Sequence, residues 1–215
     1  MSRVLAVTVA LLLAVAGHSH GAPSQCEAVA GNLIANCGFE NGFTSWNRAS
    51  PVNPFLDSTN AHTGQFAATF MNAAVLALGP NAADDEEPLA PIGQSIVTVP
   101  GQTYALTFFL DSSAANESLA SAADYVGSSF VVAANNVPIF TLENLGPFAY
   151  TSHTVLLAPT GTTTMLTFSG FVQPGSICLD DITVTAVPEP AVLTVLALGL
   201  AGLSLRRMKR GQRSD

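Results

Sequence analysis

Between residues 23 and 186, apolar and polar positions alternate in short bursts divided by Gly, Pro and Asn. Residues 103–110 (TYALTFFL) place Tyr104, Leu106 and Phe108 on one face, the period-2 pattern of a strand buried on one side. Comparable bursts occur at 32–36, 65–71, 95–99, 128–133, 138–142, 150–157, 163–169 and 177–185. Helical periodicity is almost absent. Short strands at intervals of roughly 8–15 residues with many turn residues predict an all-β sandwich. Residues 72–93 and 111–127 read as loops, the first holding the acidic run Asp84-Asp85-Glu86-Glu87.

The pattern breaks at both ends into unbroken apolar runs. Residues 4–16 (VLAVTVALLLAVA) follow Arg3 and precede small residues that allow cleavage after Ala16 or near Ala22. This run is too short for a membrane span and reads as a signal peptide over residues 1–22. At the other end, Pro188-Glu189-Pro190 precedes 15 apolar residues (191–205), then Arg206, Arg207, Lys209 and Arg210. A helix of that length rises about 22 Å, less than a hydrocarbon core of about 30 Å. It predicts transient membrane insertion with the basic end cytoplasmic. The prolines keep the approach to it extended.

Charge narrows the function classes. The chain carries 7 basic and 15 acidic residues, yet between residues 23 and 187 Arg48 is the sole Lys or Arg against 13 acidic residues. A body with a net charge of −12 offers no nucleic-acid footprint and is repelled by anionic surfaces. It suits divalent cations and neutral polymers, although solubility alone accounts for such a charge as well. The run 84–87 lacks the alternating ligand spacing of a calcium loop and reads as a solvated face. Cys26, Cys37 and Cys178 allow one disulfide in an exported protein, and no zinc spacing is present.

No catalytic set emerges. Glu40, Asp111, Glu143, Asp180 and Asp181 offer carboxylates, and His62 and His153 offer bases, but no spacing fixes a pair. Gly-x-Ser-x-Gly, His-Glu-x-x-His and phosphate-loop motifs are missing from the sequence, so no enzyme is expected. His153, between Ser152 and Thr154, reads as an exposed edge position. Trp46 reads as core. Tyr125, Phe148 and Tyr150 are the available sugar-stacking aromatics, with core packing the more ordinary role for each.

Two resemblances organise these pieces. The order Pro-Glu-Pro, apolar run, basic cluster over residues 187–215 resembles the PEP-CTERM sorting signal. That implies processing by an exosortase at Pro188, Glu189 and Pro190, with Arg206 and Arg207 in the basic stop. It also implies export across the inner membrane to the cell surface or extracellular matrix of a Gram-negative bacterium. The body, residues 23–186, resembles the galactose-binding-like jelly rolls that include several carbohydrate-binding modules. The resemblance rests on N-L-I-A-N-C-G-F-E (32–40) with Trp46, A-H-T-G-Q-F-A (61–67), Gln94, P-G-Q-T-Y (100–104) and L-D-D-I-T-V (179–184).

The resemblance implies a jelly-roll fold and association with exopolysaccharide. A structural or adhesive role in the biofilm matrix, without a defined glycan, is the alternative. It also implies a structural calcium held by Glu40, the turn His62 to Gly64, and Asp180 or Asp181, because paired carboxylates repel without a cation between them. Capping of turns, or acceptance of backbone N–H groups, by the same carboxylates is the competing role. Antiparallel pairing of the first and last strands would bring Cys37 near Cys178, so a disulfide is expected there. Cys26–Cys37 is the other pairing left open.

Overall fold

The computed structural model describes residues 23–71, 91–113, 127–172 and 175–188. The signal peptide, residues 189–215 of the sorting tail, the acidic run 84–87 and Tyr125 lie outside the described residues. Among the described residues, ten strands form two five-stranded antiparallel sheets. Strands β1 (Asn47–Arg48), β4 (Ile92–Val97), β9 (Thr163–Phe171), β6 (Ser129–Ala134) and β7 (Val137–Glu143) lie side by side in that order. The second sheet runs β2 (Phe55–Asp57), β3 (Ala67–Met71), β10 (Ser176–Ala186), β5 (Tyr104–Ser113), β8 (Phe148–Leu157). Apart from the hairpins β2–β3 and β6–β7, consecutive strands lie in opposite sheets, giving the sandwich that the alternating pattern predicts and the jelly roll that the resemblance implies.

The facing sides of the sheets make the core. On β5 buried and half-buried residues alternate without a break along all ten positions. Phe70, Phe108, Phe130 and Phe168 are fully buried and meet mostly edge-on, with centroids about 6 Å apart, a geometry that aligns the positive ring edge with a negative face. Trp46 is core as expected. Its ring packs on Phe39 and Phe168, and its Nε1–H donates to the Asn36 carbonyl at 3.0 Å.

The central strand β10 departs from alternation. Seven of its residues, Ile177 to Ile182 and Val184, are buried, including both aspartates. Both flanks are paired, by β3 and β5, and its outward side is covered by the segment 58–66 and by the 3-10 turn Gln25–Ala28. That cover creates the site described below.

Three expectations need correction. Residues 32–36 form no strand, because side chains replace the ladder. Asn32 Oδ1 accepts from the N–H groups of Val184 (2.9 Å) and Ile34 (3.1 Å). Its Nδ2 donates to the carbonyls of Ile182 (3.2 Å) and Cys26 (3.3 Å). Asn36 then turns the chain at φ 51 and donates to the carbonyls of Gly42 and Thr44. The two short strands β1 and β2 were not anticipated either. Two or three residues carry too little pattern to read.

The disulfide joins Cys26 to Cys37, and Cys178 is a free, buried thiol. The reason is register. Cys37 meets β10 at Ile182, whose N–H donates to the Cys37 carbonyl, four residues or about 13 Å along the strand from Cys178. Cys178 instead pairs across to Thr69 and Asp111.

His153 lies on the edge strand β8 as expected, but it is not exposed. Its ring lies against Phe108 and Phe140, its Nε2 is buried, and burial lowers its pKa from the ordinary histidine value.

Candidate functional site

The turn 61–66 lies across β10 where that strand bulges between Asp180 and Thr183. Asp181 sits at φ 48, in the left-handed region that Asp tolerates better than most residues. With the bulge, both neighbouring carboxylates reach the same overlying turn. Strict alternation would send them to opposite faces.

Asp180, fully buried, accepts from the backbone N–H groups of His62 (2.8 Å) and Thr63 (3.2 Å) on Oδ2, and from Asp181 (2.7 Å) on Oδ1. Asp181 Oδ2 accepts from His62 Nδ1 (2.8 Å) and from the Thr63 hydroxyl (2.5 Å). Its Oδ1 accepts from the Cys26 N–H (3.2 Å), and Thr63 Oγ1 accepts from the Gln25 N–H (2.9 Å). The two aspartates therefore tie the turn, the last strand and the disulfide-bonded N-terminal segment into one clasp.

Glu40 holds the far side of the same turn. Its Oε1 accepts from the N–H groups of Gln65 (2.8 Å) and Phe66 (3.2 Å). Gly64, at φ +72, lies so close that a Cβ there would sit 2.2 Å from Glu40 Oε1. The His-Thr-Gly spacing follows from this. Its histidine reaches Asp181, its threonine bridges Asp181 to Gln25, and only glycine leaves room for Glu40.

Outward of the clasp, the His62 ring stacks on Phe109 (3.9 Å between centroids) and leans on Tyr150 (4.9 Å). Asn60, in the same segment, donates to Asp111 Oδ1 (2.8 Å) and Cys178 Sγ (3.3 Å), and its carbonyl accepts from the Tyr150 hydroxyl (2.7 Å). Asn60 carries no signal in the sequence, because its partners come from three distant strands. Gln94, in β4, closes the other sheet onto residue 35 by bonding both the N–H and the carbonyl of Ala35.

Burial sets the electrostatics. It raises the pKa of Asp180, and the adjacent Asp181 charge adds to this, to about 8 against the pull of three N–H donors. Burial likewise raises the Tyr150 phenol and the Cys178 thiol above their ordinary values.

The expected ligands Glu40, His62, Gly64, Asp180 and Asp181 are thus gathered around one turn, but the donors they meet are N–H and O–H groups. A calcium ion takes oxygens, whereas five backbone N–H groups point at Glu40 and Asp180. Among the described residues, no three His, Cys, Asp or Glu side chains form a metal-holding group. The donor set fits a hydrogen-bonded clasp better than a calcium cage.

The expected stacking aromatics are placed differently. Phe148 is half-buried against the core, and the Tyr150 hydroxyl is committed to Asn60. Among the described residues the exposed large apolar side chains are all Val or Leu.

Comparisons with known proteins bear on the body and the tail separately. The model of the PEP-CTERM protein-sorting motif matches residues 186–210. Among curated proteins, none matches the chain in sequence. The body resembles the C-terminal family 22 carbohydrate binding module of Clostridium thermocellum Xyn10B at 12% identity and TM-score 0.50, covering 74% of this chain and 96% of that one. It also resembles a cyclase from Fischerella sp. TAU, solved with 4-(1H-indol-3-yl)butan-2-one, at 14% identity and TM-score 0.51, covering 75% and 100%. TmCBM61, solved with beta-1,4-galactotriose, matches at 16% identity and TM-score 0.49 over 73% and 99%. Likeness at these identities speaks to fold alone, and the same sandwich serves both binding modules and an enzyme. Taken with the two-sheet topology, the chain carries a PEP-CTERM protein-sorting motif, the mark of a bacterial protein exported and sorted to the cell surface, directly behind a jelly-roll body of the carbohydrate-binding-module fold.

Proposed function

We propose that the protein is an exosortase substrate whose jelly-roll body associates with exopolysaccharide at the cell surface or in the extracellular matrix, without catalysing a reaction. The observation that carries this reading is the adjacency of the two parts. The sandwich ends at Ala186, and the sorting-motif match begins at the same residue, so whatever the sandwich holds is delivered with the sorting signal. The acidic, nearly lysine-free body supports a neutral polymer as ligand, because polyanions are repelled by it. Sugar stacking falls to Tyr125 and Phe148, with Tyr150 confined to a supporting role by its bond to Asn60.

A second reading, a structural or adhesive matrix protein with no defined glycan, is favoured by one observation. No aromatic is among the exposed large apolar residues of the described part. Retention of the secreted chain on insoluble polysaccharides, including the host's own matrix, separates the two readings. Retention lost in both Tyr125→Ala and Phe148→Ala supports the binding module. No retention by a chain whose thermal transition is intact leaves the matrix role.

Repeating the assay in calcium and in EDTA tests the clasp. A hydrogen-bonded clasp predicts the same Tm in both. A Tm several degrees lower in EDTA would return calcium to Glu40 and the aspartate pair.

A further inference from the structure

The sandwich has a charge-free end, and it is the end from which the sorting tail departs. Strand β10 finishes with Ala186 opposite Tyr104, which is itself opposite Leu157 of β8. The next residue is fixed. The Val187 N–H donates to the Thr103 carbonyl (2.8 Å), and Gln102 Nε2 donates to the Val187 carbonyl (2.8 Å). The turn that holds it is tied in turn to the β8–β9 connection, through Gly101 N–H to the Pro159 carbonyl and Thr98 N–H to the Thr162 carbonyl.

Three large apolar side chains at this end stand out to solvent, Val97 on the outward face of its sheet, Leu156 on the outward face of the other sheet, and Val99 in the turn that follows β4. Val97 is 75% exposed, Val99 60% and Leu156 66%. Val99 accepts from the Gln102 N–H and lies in the turn that grips Val187. Leu156 pairs with Ala105, which pairs with Thr185, two residues before Val187. The segments that build this end, residues 92–110, 154–172 and 182–188, contain no Asp, Glu, Lys or Arg. The opposite end carries Asp111 on β5 and Glu143 on β7.

Chain length ties the end to the membrane. From Val187 to the start of the apolar run at Ala191 are four residues, a reach of at most roughly 14 Å. A headgroup layer takes up about 5–8 Å of that. Once the tail is inserted, this end of the sandwich has nowhere to go but the lipid surface.

We propose that, before processing, the charge-free end of the sandwich rests on the phospholipid surface, with Val97, Val99 and Leu156 in the headgroup region. Charge favours this orientation, because the acidic residue it brings to the lipid is Glu189 of the linker, which every orientation of the tethered body shares. A body of net −12 is repelled by anionic lipid, except through a face that carries no charge. Val97, Val99 and Leu156 gain an apolar partner there that Val52, exposed elsewhere on the body, does not. The premise is insertion of the sorting tail and is independent of polysaccharide binding.

The test uses the full chain in vesicles of phosphatidylethanolamine and phosphatidylglycerol, with lipids brominated near the top of the acyl chain. Leu156→Trp and Val99→Trp report on this end, and Ala149→Trp, exposed at the opposite end of β8, is the control. Trp46 is buried and gives the same background in all. The expected result is quenching at least twofold greater for Leu156→Trp and Val99→Trp than for Ala149→Trp, halved when Val97→Glu is added. Equal quenching at both ends, in chain that floats with the vesicles, overturns the proposal. Chain that fails to float overturns its premise, tail insertion, and the proposal with it. Shielding that appears only when the sorting enzyme is present in the membrane assigns this face to the enzyme and overturns the lipid assignment.

Discussion

The clasp on β10 and the tail end of the sandwich depart from ordinary burial in opposite directions. At the clasp, polar groups are inside: Asp180, Asp181, Thr69 and Cys178 are buried beneath the segment 58–66. At the tail end, apolar groups are outside: Val97, Val99 and Leu156. A buried polar cluster costs desolvation and persists only where nearly every group has a partner. Exposed apolar side chains cost little when they stand singly, and they contribute only where another surface meets them. The clasp therefore explains itself within the chain, while the tail end points outside it.

The contrast can be broken first at Asn32. Asn32→Ala orphans the N–H groups of Val184 and Ile34 together, and the expected loss is about 4 kcal/mol of unfolding free energy, measured by urea denaturation. A loss under about 1 kcal/mol would mean that water replaces the side chain. Gly64→Ala comes next. Its Cβ meets Glu40 Oε1 at 2.2 Å on a left-handed backbone, and about 2 kcal/mol is expected. Gly64→Ala in a Glu40→Ala background should recover part of this, because the clash is gone and the backbone strain is not.

The pH dependence of Tm sharpens the same region. Asp180 has its pKa raised from 3.8 to about 8 in the folded chain. The folded state then holds the proton more tightly, so this contribution is whole below about pH 4 and is lost as pH rises to about 8. Tm should fall across that window, and the fall should flatten in Asp180→Asn. At the other end of the molecule, Leu156→Glu is expected to change stability by less than about 0.5 kcal/mol, because the side chain has no core contact to lose. A larger loss there would show that Leu156 is structural and not an unpartnered surface.

Much of the sandwich is legible from alternation alone. Residues 163–169 and 177–185 fall inside observed strands, and 103–110 and 128–133 start one residue ahead of theirs, because a residue facing the core must be apolar and its neighbours need not be. Residues 32–36 mislead for a physical reason. An Asn that bonds four backbone groups does the work of a ladder without extended pairing, and apolar Leu33 and Ile34 beside it mimic a strand. The residues around the turn 61–66 were legible as a group through Glu40, the His-Thr-Gly turn and the aspartate pair. What they do with one another was not. The sequence places carboxylates near one another, but whether N–H donors or a cation meets them depends on which way the turn's backbone faces.

Composition and order by themselves determined the all-β class, the acidic body, the core role of Trp46 and the apolar-basic sorting tail, since each depends on local pattern or net charge. Tertiary structure decided the rest. The Cys26–Cys37 bond, the free thiol of Cys178, the burial of His153 and the placing of Val97, Val99 and Leu156 at the end from which the tail departs all depend on register between strands far apart in the chain. Register is fixed by the summed packing of the whole sandwich, and no local stretch of sequence contains that sum.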